Sequence, residues 1–259
     1  LAQILLKRAS GPIDGFIVEA PAAGGHNAPP RGAARFDDSG QPLYGPRDEV
    51  DLVKLRELGK PFWLAGNRGR PGALATAQGL GAHGIQVGTA FAFSRESGLA
   101  PDLRRAVIAK VSAGTGGVRT DPRASPTGFP FKVVDLPGTL SEAAVYAARE
   151  RVCNLGFLRS AYRRDDGQIG YRCAAEPVDA FVAKGGGGDE TVGRKCLCNS
   201  LLANVGLAEP QVLGTPEPPL LTAGDDIEAI RSYFAAGAAA GDGDYGAADV
   251  LRGLRSQPA

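Results

Sequence analysis

Methionine is absent from this sequence of 259 residues, which opens on Leu1, and histidine occurs twice, at His26 and His83. A chain without Met, starting on Leu, is expected to begin inside a longer protein. Long apolar runs are also missing: none approaches the roughly 20 residues that a membrane helix needs. The N-terminus lacks the basic region, apolar stretch and small-residue cleavage site of a signal peptide. Charge of one sign is missing too, with 29 Lys and Arg against 28 Asp and Glu. A net charge of +1 makes no field that would gather nucleic acid or an anionic membrane. The expectation is a protein with no nucleic-acid or membrane partner, and a cytoplasmic location as the default. Neither a G-x-G-x-x-G fingerprint nor a Walker P-loop is present. Cysteine does not appear before Cys153.

What is abundant is glycine, at 37 residues, in a chain that is otherwise ordinary at 43% hydrophobic and 22% charged. Such a composition supports one large core or two small domains. Much glycine means tight turns or close approaches of backbone to a ligand. Leu1 to Ala9 reads as the end of an amphipathic helix, with Leu5 and Leu6 inward and Lys7 and Arg8 outward. Asp14 to Ala20 is a short apolar run rich in β-formers, the pattern of a buried parallel strand. A long loop, Pro21 to Arg47, follows, and loops of that length often carry function. Asp48 is placed to cap a helix that ends at Leu58, before Gly59. Pro61–Ala65 and Gly84–Gly88 are further strands, and helices are expected over about Gly72–Leu80 and Pro101–Ser112. The order α-β-α-β-α-β-α implies parallel strands with right-handed crossovers. From Ala113 to Thr139 the chain is loop-rich. A helix is expected from Ser141 to Arg151, a Pro-rich linker over Pro210–Pro219, and short helices over Asp225–Phe234 and Gly246–Leu254.

Glycine recurs at the end of each strand: Gly24-Gly25, Gly66-Asn67-Arg68-Gly69 and Gly88-Thr89. Backbone N–H groups at such turns, with a helix N-terminus behind them, bind anions, and a Cβ would block the approach. In a (β/α)8 barrel the active site lies at the C-terminal ends of the strands, and phosphate is often held after strands 7 and 8. Each turn alone is ordinary turn chemistry; three on consecutive strands point to a phosphate site. An open doubly wound sheet remains an alternative on this evidence. His26 follows two glycines just beyond a strand, where a histidine near neutral pKa can take a proton from a carbon acid. His83, at the opposite end of its strand, reads as structural, and Trp63, in mid-strand, as core.

The stretches Val18-Glu-Ala-Pro-Ala-Ala-Gly-Gly-His26, Trp63-Leu-Ala-Gly66 and Gly84-Ile-Gln-Val-Gly-Thr-Ala-Phe-Ala-Phe-Ser-Arg-Glu-Ser97 resemble the nitronate monooxygenase (2-nitropropane dioxygenase) family, in its order, over roughly residues 1–150. The resemblance implies an α/β fold. Residues 1–150 would be the C-terminal part, strands 6–8, of an FMN-binding (β/α)8 TIM-type barrel, and residues 151–259 a loop-rich, helical, Cys-containing cap. It implies a non-covalent FMN near Ala23, Gly24, Gly25, Gly66, Asn67, Gln86, Gly88 and Thr89, with His26 as the catalytic base. The implied reaction is oxidation of a nitronate or nitroalkane by dioxygen, giving a carbonyl compound and nitrite. An enoyl-thioester reductase using NAD(P)H, on the same barrel, is the alternative, and a flavin-binding scaffold with a decayed site is the non-enzyme one. Asn67 stands where the family has a second glycine, and Asn tolerates positive φ better than other side chains. Strands 1–5 would be missing. Three strands do not close a barrel, so an N-terminal segment or a partner chain is expected to complete it.

Cys153, Cys173, Cys196 and Cys198 fall in one segment. Four thiols with a C-x-C pair have the chemistry for zinc or an iron–sulfur cluster. Against this, the spacing is not the usual C-x2-C, and buried cysteines often serve as small apolar residues. Ser125-Pro-Thr-Gly128 sits where the family has a Thr-Gly-x-Pro turn, either near the flavin or simply a turn.

Overall fold

The computed structural model describes residues 1–211, 214–234 and 243–256. Residues 212–213 of the expected Pro-rich linker, and residues 235–242 and 257–259 of the expected cap, lie outside the described residues.

Helix α1 (Ala2–Arg8) leads into β1 (Phe16–Glu19). The long loop then runs to a 3-10 turn (Pro46–Asp48) and α2 (Leu52–Arg56). Strand β2 (Phe62–Ala65), α3 (Ala73–Gly79), β3 (Gly84–Gln86), α4 (Thr89–Ala92) and α5 (Pro101–Ser112) complete the first half. The three strands form one parallel sheet in the order β1-β2-β3, in which Ile17 pairs with Trp63 and Trp63 with Gly84. The parallel α/β alternation expected from the hydrophobic pattern is therefore present. The sheet is open, and no closed barrel occurs among the described residues.

Alternation along the strands decides which face is covered. Phe62 and Leu64 point to one face, where they pack with Phe16, Val18, Leu55, Ala77 and Ala82 beneath α2 and α3. Ile17 and Trp63 point to the other face, and are 59% and 36% exposed. Trp63 is therefore not a core residue. Its indole lies along the open face over Gly15 and Gly84, whose missing Cβ atoms make room for it. Leu5 is likewise exposed rather than inward, as are Leu1 and Ile4. The cap of α2 is Asp51, whose carboxylate accepts from the N–H groups of Val53 and Lys54. Asp48 does not serve because its oxygens already take the N–H groups of Arg31 and Gly45.

The second half is built from short pieces. Strands β4 (Val118–Asp121) and β5 (Phe131–Val134) form an antiparallel pair where a loop was expected. Next come α6 (Ala143–Ala148), a β6–β7 hairpin (Ser160–Arg163 and Ile169–Arg172), α7 (Val178–Ala183), a 3-10 turn (Gly188–Thr191) and α8 (Leu197–Ala203). A last 3-10 segment (Ile227–Tyr233) precedes α9 (Ala247–Arg255). One apolar core joins Phe93, Val107 and Val111 of the first half to Leu221, Ile230, Tyr245 and Leu254. The end of the chain thus packs across the boundary expected near residue 150. Among the described residues no helix is long and apolar enough to cross a membrane.

Candidate functional site

The C-terminal ends of β1, β2 and β3 open into a cavity of about 300 Å³. All eight residues that the sequence nominated for the cofactor line it: Ala23, Gly24, Gly25, Gly66, Asn67, Gln86, Gly88 and Thr89. Gly66 has φ +86°, and Asn67, at φ +52°, is the one non-glycine residue with positive φ among those described. Asn adopts this conformation because its short polar side chain costs little there. The turn therefore survives the loss of a second glycine.

Three observations bear on whether the cavity fits a phosphate. The N–H groups of Asn67, Gly88 and Thr89 have no backbone acceptor among the described residues. The buried Nε of Arg68, another lining residue, also has no hydrogen-bond partner, and a buried orphan donor is costly unless something satisfies it. Against these, the Gly69 N–H is committed, donating at 3.0 Å to the carboxylate of Asp226, which also lines the cavity. The residues fit an anionic group at the Gly66-Asn67 and Gly88-Thr89 turns, with Arg68 as counter-charge, and not at Gly69.

The fourth wall comes from the far end of the chain, in the segment Thr222–Asp226. Thr222 Oγ1 accepts the Gly25 N–H at 2.7 Å, and Thr89 Oγ1 accepts the Gly224 N–H at 2.8 Å. Gly24 is required at this seam: a Cβ there would lie 2.8 Å from the Ala223 carbonyl carbon. Nothing local in the sequence marked these residues. A Thr-Ala-Gly-Asp-Asp loop (222–226) after a Pro-rich stretch reads as a connection.

His26 adjoins Gly25 but does not itself line the cavity. Its ring sits edge-on to Phe131 with centroids 4.9 Å apart, and its Nε2 lies 2.7 Å from Ser125 Oγ. Backbone pairing fixes the two segments, since Lys132 N donates to Gly25 O and Asn27 N to Pro130 O. Burial lowers the His26 pKa below the ordinary histidine value, so the ring is held neutral near pH 7. Ser125, fully buried, is 2.7 Å from Thr127 Oγ1. The Ser125-Pro-Thr-Gly128 segment is thus more than a turn, because it orients the histidine. For Nδ1 to act as a base, Nε2 must carry the ring proton and donate to Ser125, whose own proton then goes to Thr127. Arg194 Nη1 donates to the carbonyls of Ser125 (2.7 Å) and Arg123 (3.1 Å), so residues of the cap hold the Ser125 loop from behind. His83 lies against Trp63, with ring centroids 6.1 Å apart, at the opposite end of the sheet.

The metal expectation is corrected. Cys153, Cys173, Cys196 and Cys198 are all free thiols. Among the described residues no group of three or more His, Cys, Asp or Glu is arranged to hold a metal ion. Burial raises the pKa of Cys196, as for a small core residue.

No protein-family model and no curated protein matches the chain. Among solved structures it is similar to a point mutant of FabK from Thermotoga maritima, at 25% identity over 52% of this chain, with a TM-score of 0.32. The chain spans 37% of that structure's length.

Proposed function

We propose that this chain is the phosphate-end portion of an FMN-dependent oxidoreductase acting on nitronates or nitroalkanes with dioxygen. The observation that carries the reading is the cavity at the ends of three parallel strands, where backbone N–H groups and the buried Arg68 Nε have no partner among the described residues. The Gly66-Asn67 and Gly88-Thr89 turns and Arg68 would hold the FMN phosphate, with Ala23, Gly24, Gly25 and Gln86 beside it. When bound, FMN supplies acceptance of electrons from the substrate and their passage to dioxygen. His26, kept neutral by partial burial, takes the proton from the carbon bearing the nitro group, and Ser125 fixes the ring that does so.

The open face of the sheet bears on the same reading. Parallel sheets are ordinarily covered on both faces, and here Ile17 and Trp63 leave one face bare. Further parallel strands, from a longer chain or a partner, would cover it and wall the substrate side of the cavity.

The test is spectroscopic. Purified protein titrated with FMN is expected to quench flavin fluorescence to saturation, and R68A to weaken that binding. Flavin bleached anaerobically by a nitronate supports the monooxygenase, whereas bleaching by NAD(P)H alone supports the enoyl-thioester reductase. With a neutral nitroalkane, H26A should lose roughly 10²–10⁴-fold in turnover, as for a lost general base. Full turnover in H26A would remove His26 as the base, and flavin binding without any turnover by the unaltered chain would leave the scaffold reading.

A further inference from the structure

The second half of the chain holds a smaller cavity, of about 180 Å³, lined by Tyr146, Ala147, Arg149, Arg151, Arg194 and Lys195. Four of these residues are cations and none is an acid. Tyr146 and Ala147 belong to the end of α6, and Arg149 and Arg151 to the chain that leaves it. Arg194 and Lys195 come from the turn before α8. The proposed reaction makes no use of this cavity.

These charges are built into the fold rather than spread over a solvated face. The Arg149 and Lys195 side chains are 4% and 7% exposed, and each meets a carboxylate, Glu217 at 2.8 Å and Asp121 at 3.2 Å. Lys195 Nζ also lies 4.8 Å from the centre of the Tyr146 ring. Arg151 and Arg194 differ, because every hydrogen bond they make among the described residues goes to a backbone carbonyl. Arg151 donates to Ala174 O (2.5 Å), Glu176 O (3.0 Å) and Thr191 O (3.2 Å). Arg194 donates through Nε to Glu190 O at 3.0 Å, and through Nη1 to Arg123 O and Ser125 O. The carbonyls fix the direction of both guanidinium groups without cancelling their charge. Arg194 Nη2 has no acceptor among the described residues. Burial, and after it the charge of Arg123, hold the Arg194 pKa below its ordinary value, a strain that a nearby anion relieves.

We propose that this cavity binds a small divalent oxyanion of the phosphate type, held between the Arg151 and Arg194 guanidinium groups with Arg149 and Lys195 behind. The charge count sets the valence. Glu217 answers Arg149 and Asp121 answers Lys195, which leaves two lining cations without a carboxylate in ion-pair contact among the described residues. Size sets the class. About 180 Å³ is less than the roughly 300–1,000 Å³ of pockets for drug-sized ligands, so the anion is small. Guanidinium forks match the oxygens of a phosphate better than a point charge does. The site shares no lining residue with the cavity at the strand ends.

The experiment follows the melting temperature of the full chain in inorganic phosphate, with potassium chloride at matched ionic strength as the control. Phosphate well above its dissociation constant should raise Tm by roughly 3 °C beyond the chloride value. R151Q and R194Q, which keep an amide donor for the carbonyls but lose the charge, should abolish that rise. R68A, which alters the strand-end cavity, should keep it, as should R105Q on the exposed side of α5. Circular dichroism checks that the variants fold. If R151Q or R194Q does not, the unaltered chain carries the test through modification by phenylglyoxal, mapped by peptide mass. Phosphate should slow modification of Arg151 and Arg194 several-fold and leave Arg105 unchanged. No rise beyond chloride, a rise that R151Q and R194Q retain, a rise that R68A abolishes, or modification rates indifferent to phosphate overturns the proposal. None of these readouts needs flavin or turnover, so the proposal and the functional reading fail independently.

Discussion

The two halves of this molecule solve the same problem with different materials. Residues 1–112 rest on apolar packing beneath a parallel sheet, and leave the opposite face, with Ile17 and Trp63, without cover. Residues beyond 112 have apolar clusters of their own and are also threaded with buried charges. Arg149 and Glu217 form an ion pair whose side chains are 4% and 0% exposed, Lys195 with Asp121 repeats the pattern, and the buried Lys132 reaches out to the exposed Asp225. The first half contributes backbone N–H groups to the cavity, and its side chains there are mostly small. The second half contributes the side chains that hold His26 in place. A sheet that presents backbone to a ligand is specified by short local patterns, whereas a cap that presents charges is specified by partners far apart in sequence.

The largest test of this contrast is E217A. It leaves Arg149 buried without its bidentate partner and strips the acceptor from Ser200 Oγ. A loss of about 3–5 kcal/mol in urea unfolding is expected. A loss under about 1 kcal/mol would mean that the cap is held by its apolar clusters instead. Next is R194A, which frees the Ser125 carbonyl and lets the loop behind His26 drift. Turnover of a neutral nitroalkane should fall about tenfold with KM little changed, since small misplacements of a catalytic group are costly. R194K should recover part of it, and a change confined to KM would show that Arg194 acts on substrate.

The third test is pH. Burial disfavours the His26 imidazolium, so the folded chain releases that proton more readily than the unfolded chain does. Turnover of the neutral nitroalkane should be half-maximal below the ordinary histidine value of 6.5. The stability contribution has the same sign. It is fully present above 6.5 and is lost as pH falls from there through the lowered value. A midpoint above 6.5 would remove His26 as the titrating base. The smallest effect belongs to I17T on the open face, within about 0.5 kcal/mol for the chain alone. A loss several times larger would mean that this face is covered in solution.

What the sequence disclosed follows the same division. The strands and glycine turns were legible because each is a local pattern, a short apolar run closed by glycine. His26 stood out by position for the same reason. Trp63 was misjudged because an aromatic in mid-strand reads as core unless the covering layer is known to be present. Ser125, Arg194 and Asp226 were illegible as site residues. Ser125 reaches His26 across 99 positions, and Asp226 reaches Gly69 across 157. The β4–β5 pair escaped because Val118-Arg-Thr-Asp121 lacks the apolar alternation that marks a strand. The cysteines suggested a metal by number and by the C-x-C pair, but the fold brings no group of three or more ligands together among the described residues.

The seam between Gly25 and Thr222 spans 197 residues, and the one between Thr89 and Gly224 spans 135. During synthesis the glycine turns emerge long before the loop that closes over them. At ~5–20 residues per second, roughly 10–40 s pass between Gly25 and Thr222. The cavity is thus completed long after the strands that bound it. A nascent chain can build its parallel sheet early, but the glycine turns stay open to solvent until the segment Thr222–Asp226 has docked.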